Sequence, residues 1–78
     1  MKLQEVRKKA GLSQSGLAKA SGVSVRTLQG YECGRKPFDS AKLAVIVDLA
    51  EALNVPLYEL LEDRELAEKV KANTKREV

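Results

Sequence analysis

Apolar residues recur at helical spacing in five segments of the chain, and this pattern predicts an all-helical protein. In the first segment Leu3, Val6 and Ala10 share one face, and Gly11 supplies a C-terminal stop. The second follows Ser13, a good N-cap, turns Leu17 and Ala18 inward, and ends at Gly22. The third follows Ser24, another N-cap, with Leu28 and Tyr31 three apart on one face. It stops at Cys33-Gly34, and Pro37 bars a quick restart. A fourth helix is expected from a cap at Asp39 or Ser40 to Leu53. Its β-branched run Val45-Ile46-Val47 would suit a strand, but Leu43, Ile46, Val47, Ala50 and Leu53 hold a helical stripe for three turns. Ala44, Asp48 and Glu51 leave only a narrow strip for solvent, which makes this the expected central helix. Asn54-Val55-Pro56 breaks it, and Pro56 suits the first turn of a fifth helix carrying Leu57, Leu60 and Leu61.

Beyond Leu61 the character changes. Ten of the seventeen residues from Glu62 to Val78 are charged, and Leu66 and Val70 form the one apolar pair at i, i+4. With Glu65 opposite Lys69 they predict a helical extension of a turn or two, fraying from Asn73-Thr74 to Val78. The expected organisation is a five-helix domain over residues 1–61 and a short charged, partly helical tail over 62–78.

Composition narrows the function classes. Seventy-eight residues suit one small domain, and the balance of 44% hydrophobic to 32% charged residues is that of a globular chain, not a disordered one. The apolar run Leu43–Val47 is far too short for a membrane span, and the sequence predicts neither a membrane partner nor a secretory signal. A single cysteine, Cys33, fits a reducing cytoplasm and reads as a small filler at a helix end. Histidine is absent, which removes the usual general base and the commonest metal ligand, and no phosphate loop or nucleophile elbow occurs. The chain is therefore not expected to be an enzyme or to need a cofactor or metal. Charge is segregated: residues 1–38 hold eight Lys/Arg against two Asp/Glu, or +6, and residues 39–78 hold six against nine, or −3. One basic half suggests a face for a polyanion.

The stretch from Gln14 to Glu32, QSGLAKASGVSVRTLQGYE, places that face. Two short helices crossing steeply need a small residue at the contact, and Ala18 is there. The turn between them needs a residue at ease with positive φ, and Gly22 follows four positions on. Val23 plugs the gap, while Leu28 and Tyr31 turn the second helix inward. Its outer face is then expected to show Ser24, Val25, Arg26, Gln29, Gly30 and Cys33, polar but not acidic. This is a helix-turn-helix over residues 14–33, with residues 25–33 as the helix that enters a DNA major groove. Arg26 has the reach and fork to pair with guanine O6 and N7, Val25 could touch a thymine methyl, and Gln14 at a helix start suits a phosphate.

On these residues the chain resembles the Cro and phage-repressor helix-turn-helix proteins, or XRE-type regulators. The likeness runs from Leu3 to Leu61 and includes VRKKAGLSQ, the LAxxxGVS core, LxxYE, the GRKP loop and the closing LAEALNVPLYELL. It implies a compact five-helix, lambda-repressor-like domain that binds double-stranded DNA, a homodimer on a palindromic operator, and a cytoplasmic, nucleoid-associated protein of bacterial or phage type. By position it implies base contacts from Val25 and Arg26, with Ser24 and Gln29 beside them. It also implies phosphate contacts from Gln14, Arg35 and Lys36, with Lys19 a weaker candidate, and a buried ion pair between Arg7 and Glu32.

The chain departs from that family at three places. Gly16 stands where a glutamate is usual, Cys33 where Arg or Asn is common, and Gly30 lies inside the recognition helix. Each of the two glycines costs about 1 kcal/mol of helix propensity relative to alanine. Gly30 leaves two readings open: close approach of the DNA backbone, or one base contact fewer. For dimerisation the candidate surface is Leu57, Tyr58, Leu61, Leu66 and Val70. A transcriptional repressor is the first reading, since 78 residues leave no room for a ligand domain. An antitoxin that also blocks a toxin through its acidic half is the alternative, and a protein-interaction module that has lost DNA binding, hinted at by Gly30 and Cys33, is a third reading.

Overall fold

The computed structural model describes residues 1–75. Among these residues there are five α-helices and no strand: α1 Lys2–Lys9, α2 Gln14–Ser21, α3 Val25–Glu32, α4 Leu43–Leu53 and α5 Arg64–Thr74. Two short 3-10 turns, Phe38–Ser40 and Leu57–Leu60, join the last three. None of these helices is long and apolar enough to cross a membrane.

Helices α2 and α3 start where their capping serines dictate. Ser13 Oγ accepts from Gly16 N–H at 2.9 Å, and Ser24 Oγ accepts from Thr27 N–H at 3.1 Å. Each bond satisfies an amide that the first turn of a helix leaves without a partner. Between α2 and α3 the chain reverses at Gly22, at φ 78°, a left-handed conformation that a side chain would strain. Gly22 N–H donates to the Ala18 carbonyl at 2.9 Å, which closes α2, and Val23 is buried directly behind the bend.

Leu3, Leu17, Leu28, Leu49 and Leu60 are fully buried and come from five different elements. They form one core with Val23, Tyr31, Phe38, Ile46, Ala50, Leu53, Leu61 and Ala67. Tyr31 meets Phe38 edge-on, with ring centroids 5.2 Å apart, a geometry that aromatic quadrupoles favour. Phe38 thereby pins the loop after α3 to the core.

The second half differs from the sequence expectation in five respects. Asp39 does not cap α4. Its carboxylate accepts from the N–H groups of Glu62 and Asp63 at 2.8 and 2.9 Å, so it is spent on the approach to α5. Helix α4 starts only at Leu43, after an extended Lys42 and without a side-chain cap. Leu43, the first residue of that helix, is accordingly 66% exposed and does not extend the buried stripe. The segment after Pro56 forms a single 3-10 turn, and the fifth α-helix lies in the charged stretch beyond it. There Asp63 caps the helix by accepting from Leu66 N–H, and Ala67 enters the core at 3% exposure. Helix α5 continues through Asn73 and Thr74, where fraying was expected; the rest of that expectation, at residues 76–78, falls outside the described residues.

Candidate nucleic-acid interface

Helix α3 buries Leu28 and Tyr31 and leaves Arg26 and Gln29 exposed on its other side. Val25, at its start, is half-buried. Ser24 is exposed, but its hydroxyl is engaged, accepting from Thr27 N–H and donating to Thr27 Oγ1 at 2.8 Å. Gly30 is the exception on this face. It is buried rather than open, because the aliphatic stem of Lys36 lies across it. Gly30 is thus not laid open to a DNA backbone, while the reading of one base contact fewer is compatible with its burial.

The orientation of α3 is held from behind. Arg7 Nε and Nη2 donate to Glu32 Oε2 and Oε1 at 2.8 and 2.9 Å, a two-pronged pair whose side chains are 9% and 3% exposed. Arg7 Nη1 donates to the Leu12 carbonyl at 2.8 Å, and Gln14 Nε2 donates to Glu32 Oε1 at 3.1 Å. One carboxylate at the end of α3 therefore ties α1 and the start of α2 to that helix, and Arg7 adds the loop between them through the Leu12 carbonyl. Gln14 braces α3 through this bond.

Burial alone would raise the Glu32 pKa, but hydrogen bonds from Arg7 and Gln14, with the charges of Arg7 and Lys8, outweigh it and hold the carboxyl below its usual range. The unfolded chain then takes up the proton more readily than the folded one, near the ordinary glutamate value of about 4.3. The stabilising contribution is complete above that value and is lost as pH falls through the lower, folded one. The melting temperature is expected to drop steeply below about pH 4, and Glu32→Gln to flatten part of that slope in melts recorded from pH 7 to 3. A slope identical in the two proteins would show that Glu32 does not carry it.

Beside the exposed face of α3, Ser24, Arg26, Thr27, Arg35 and Lys36 line a cavity of about 390 Å³. Three of the five are cationic, two carry hydroxyls and none is acidic. Thr27 did not stand out in the sequence; the signal for it was a hydroxyl three positions after the N-cap serine. Lys19 is exposed in the last turn of α2 and is not among these residues. Cys33, expected as a filler, is exposed, and Arg35 Nε donates to its Sγ at 3.2 Å. Hydrogen bonds from the Arg35 backbone and side chain hold the thiol below its usual pKa.

The five residues proposed for a dimer contact differ in exposure and surroundings. Leu61 is 3% exposed and belongs to the core, a correction that follows from its extended conformation after the 3-10 turn. Tyr58 lies in a groove between α1 and α5, with the Lys71 ammonium 5.7 Å from its ring centre. Leu66 is half-buried against the core. Leu57 and Val70 share a mostly apolar groove of about 420 Å³ with Leu43, a residue read from the sequence as inward-facing.

A family model described as helix-turn-helix matches residues 3–60 of the chain. No curated protein and no solved structure matched it.

Proposed function

This chain belongs to the helix-turn-helix family of DNA-binding transcription regulators, and from that premise we propose that it is a repressor reading a palindromic operator as a homodimer. The observation that carries this reading is the outward face of α3. It is exposed at Arg26 and Gln29, bent away from α2 at Gly22, and flanked by a cavity lined by three cations and no carboxylate. A helix so presented fits a B-DNA major groove, and its cationic flank meets the phosphates beside it. Arg26 and Gln29 read base edges, with Val25 and Ser24 at the groove wall. Gln14, Arg35 and Lys36 meet phosphates, and Lys19 adds to the field around them.

One such helix reads too few base pairs to single out a genomic site, and a two-fold dimer places two of them about 34 Å apart, one turn of duplex. The groove between α4 and α5, with Leu43 at its rim, is the apolar surface that a second copy covers. Occupying duplex that a polymerase needs is then enough to repress.

Selection of binding sites from random duplexes at two salt concentrations tests this reading. A paired, two-fold related motif is expected. With three or four phosphates met per subunit, the slope of log affinity against log salt is expected near −6. A slope near zero, or no preferred sequence, would end the proposal. Recovery of the chain with a basic protein partner, instead of with itself, would assign the α4–α5 groove to the antitoxin use.

A further inference from the structure

The recognition helix carries glycine in its last turn, the poorest helix former after proline, although nothing in the backbone requires it there. Gly30 is not among the glycines with positive φ, so an alanine would fit the local conformation. The reason for the glycine is outside the helix. A Cβ built on Gly30 would lie 3.1 Å from Cδ of Lys36, 3.3 Å from Cγ and 3.4 Å from Cε. Three consecutive methylenes of Lys36 thus run across the bare backbone of α3. The main chains are joined at the same point, where Lys36 N–H donates to the Gly30 carbonyl at 3.0 Å. Lys36 also lines the cavity shared with Ser24, Arg26, Thr27 and Arg35, one turn of α3 nearer its N-terminus.

We infer that Gly30 is a positioning residue, whose missing side chain leaves the track that lays Lys36 along α3 and holds its ammonium beside Arg26 for a DNA phosphate. This rests on the DNA-binding reading above. A lysine free in solvent samples many rotamers and loses that freedom when it engages a ligand. One already laid on a helix loses less, so its contact is worth more. The separation also explains how a recognition helix interrupted by glycine keeps a cation on that flank: a residue from the following loop supplies it.

The test compares the wild-type chain, Gly30→Ala, Lys36→Met and the double variant on the duplex recovered by the selection, with affinities over a salt series and a thermal melt for each. Lys36→Met keeps an apolar stem over Gly30 and removes the ammonium. It is expected to weaken binding roughly three- to tenfold on every sequence and to make the salt slope shallower by about 1 per subunit. Gly30→Ala, whose methyl displaces the Lys36 stem by a few tenths of an ångström, is expected to give part of that loss and a slope shallower by less than that of Lys36→Met, with a melting temperature equal to or above that of the wild type. In the double variant Gly30→Ala is expected to add nothing to Lys36→Met. A Gly30→Ala protein that binds as tightly as the wild type overturns the inference. So does a loss of the same size with and without the Lys36 ammonium, which would mean that the glycine acts on DNA directly. Wild-type protein that binds no duplex at any salt concentration would instead remove the DNA-binding reading, and this inference with it.

Discussion

Replacing Arg7 by alanine is expected to cost about 3–5 kcal/mol of stability, the range for breaking one side of a buried ion pair. The loss has an identifiable origin. Glu32, 3% exposed with Arg7 in place, would keep only the Gln14 amide as a side-chain partner, and the Leu12 carbonyl would lose its guanidinium donor. A chain of this size has a total stability of roughly 4–12 kcal/mol at the usual 0.05–0.15 kcal/mol per residue, so the change is large relative to the whole. At about 4–8 °C per kcal/mol, the melting temperature should fall by at least 12 °C. Replacing both partners is expected to be milder than the sum of the single changes, because no buried charge is then stranded. An unchanged melting temperature with a shifted preferred site would make Arg7 a reader of DNA instead of a brace.

Arg26→Ala is expected to act on binding and to leave the fold alone. The side chain is exposed and spans no part of the core, so its removal should leave the melting temperature within about 2–4 °C, as surface changes away from structural features do. On the selected duplex the loss should be about 1–3 kcal/mol, or five- to 150-fold, because a guanidinium fork matched to guanine O6 and N7 is the strongest single base contact open to this helix. The loss should be confined to duplexes with the matching base pair, and discrimination at that pair should vanish with it. This pattern separates Arg26 from Lys36, whose removal weakens all sequences alike. Equal weakening on every duplex would make Arg26 another backbone anchor.

The first half of the fold is legible in the sequence because its signals are local. Ser13 and Ser24 cap the residues that directly follow them, and the turn at Gly22 depends on one residue without a side chain. The second half is decided by contacts distant in sequence. Asp39 has the chemistry of an N-cap, and nothing nearby announces that the amides it serves are more than twenty positions on. Charge density after Leu61 suggested a tail, yet one small residue, Ala67, is enough to let α5 lie close against the core. Leu43 fits a helical stripe on paper, but its position as the first residue of α4 puts it beyond the core edge. At the candidate interface, residue types pointed to α3, while the cover over Gly30 depends on how a loop six residues later returns. Spacing rules within a helix carry no information on that.

The Asp39 carboxylate has one more implication. It stands just past the loop that holds Arg35 and Lys36, and it grips the amides that lead into α5. Glu62, at the same joint, accepts from the Lys2 amide at 2.5 Å, so the beginning of the chain is fastened there too. Cutting the polypeptide after Leu61, where the charged stretch invites a boundary, would strip this joint of its donors and open a hole where Ala67 sits. The last helix is a buttress wall of the building, not a porch.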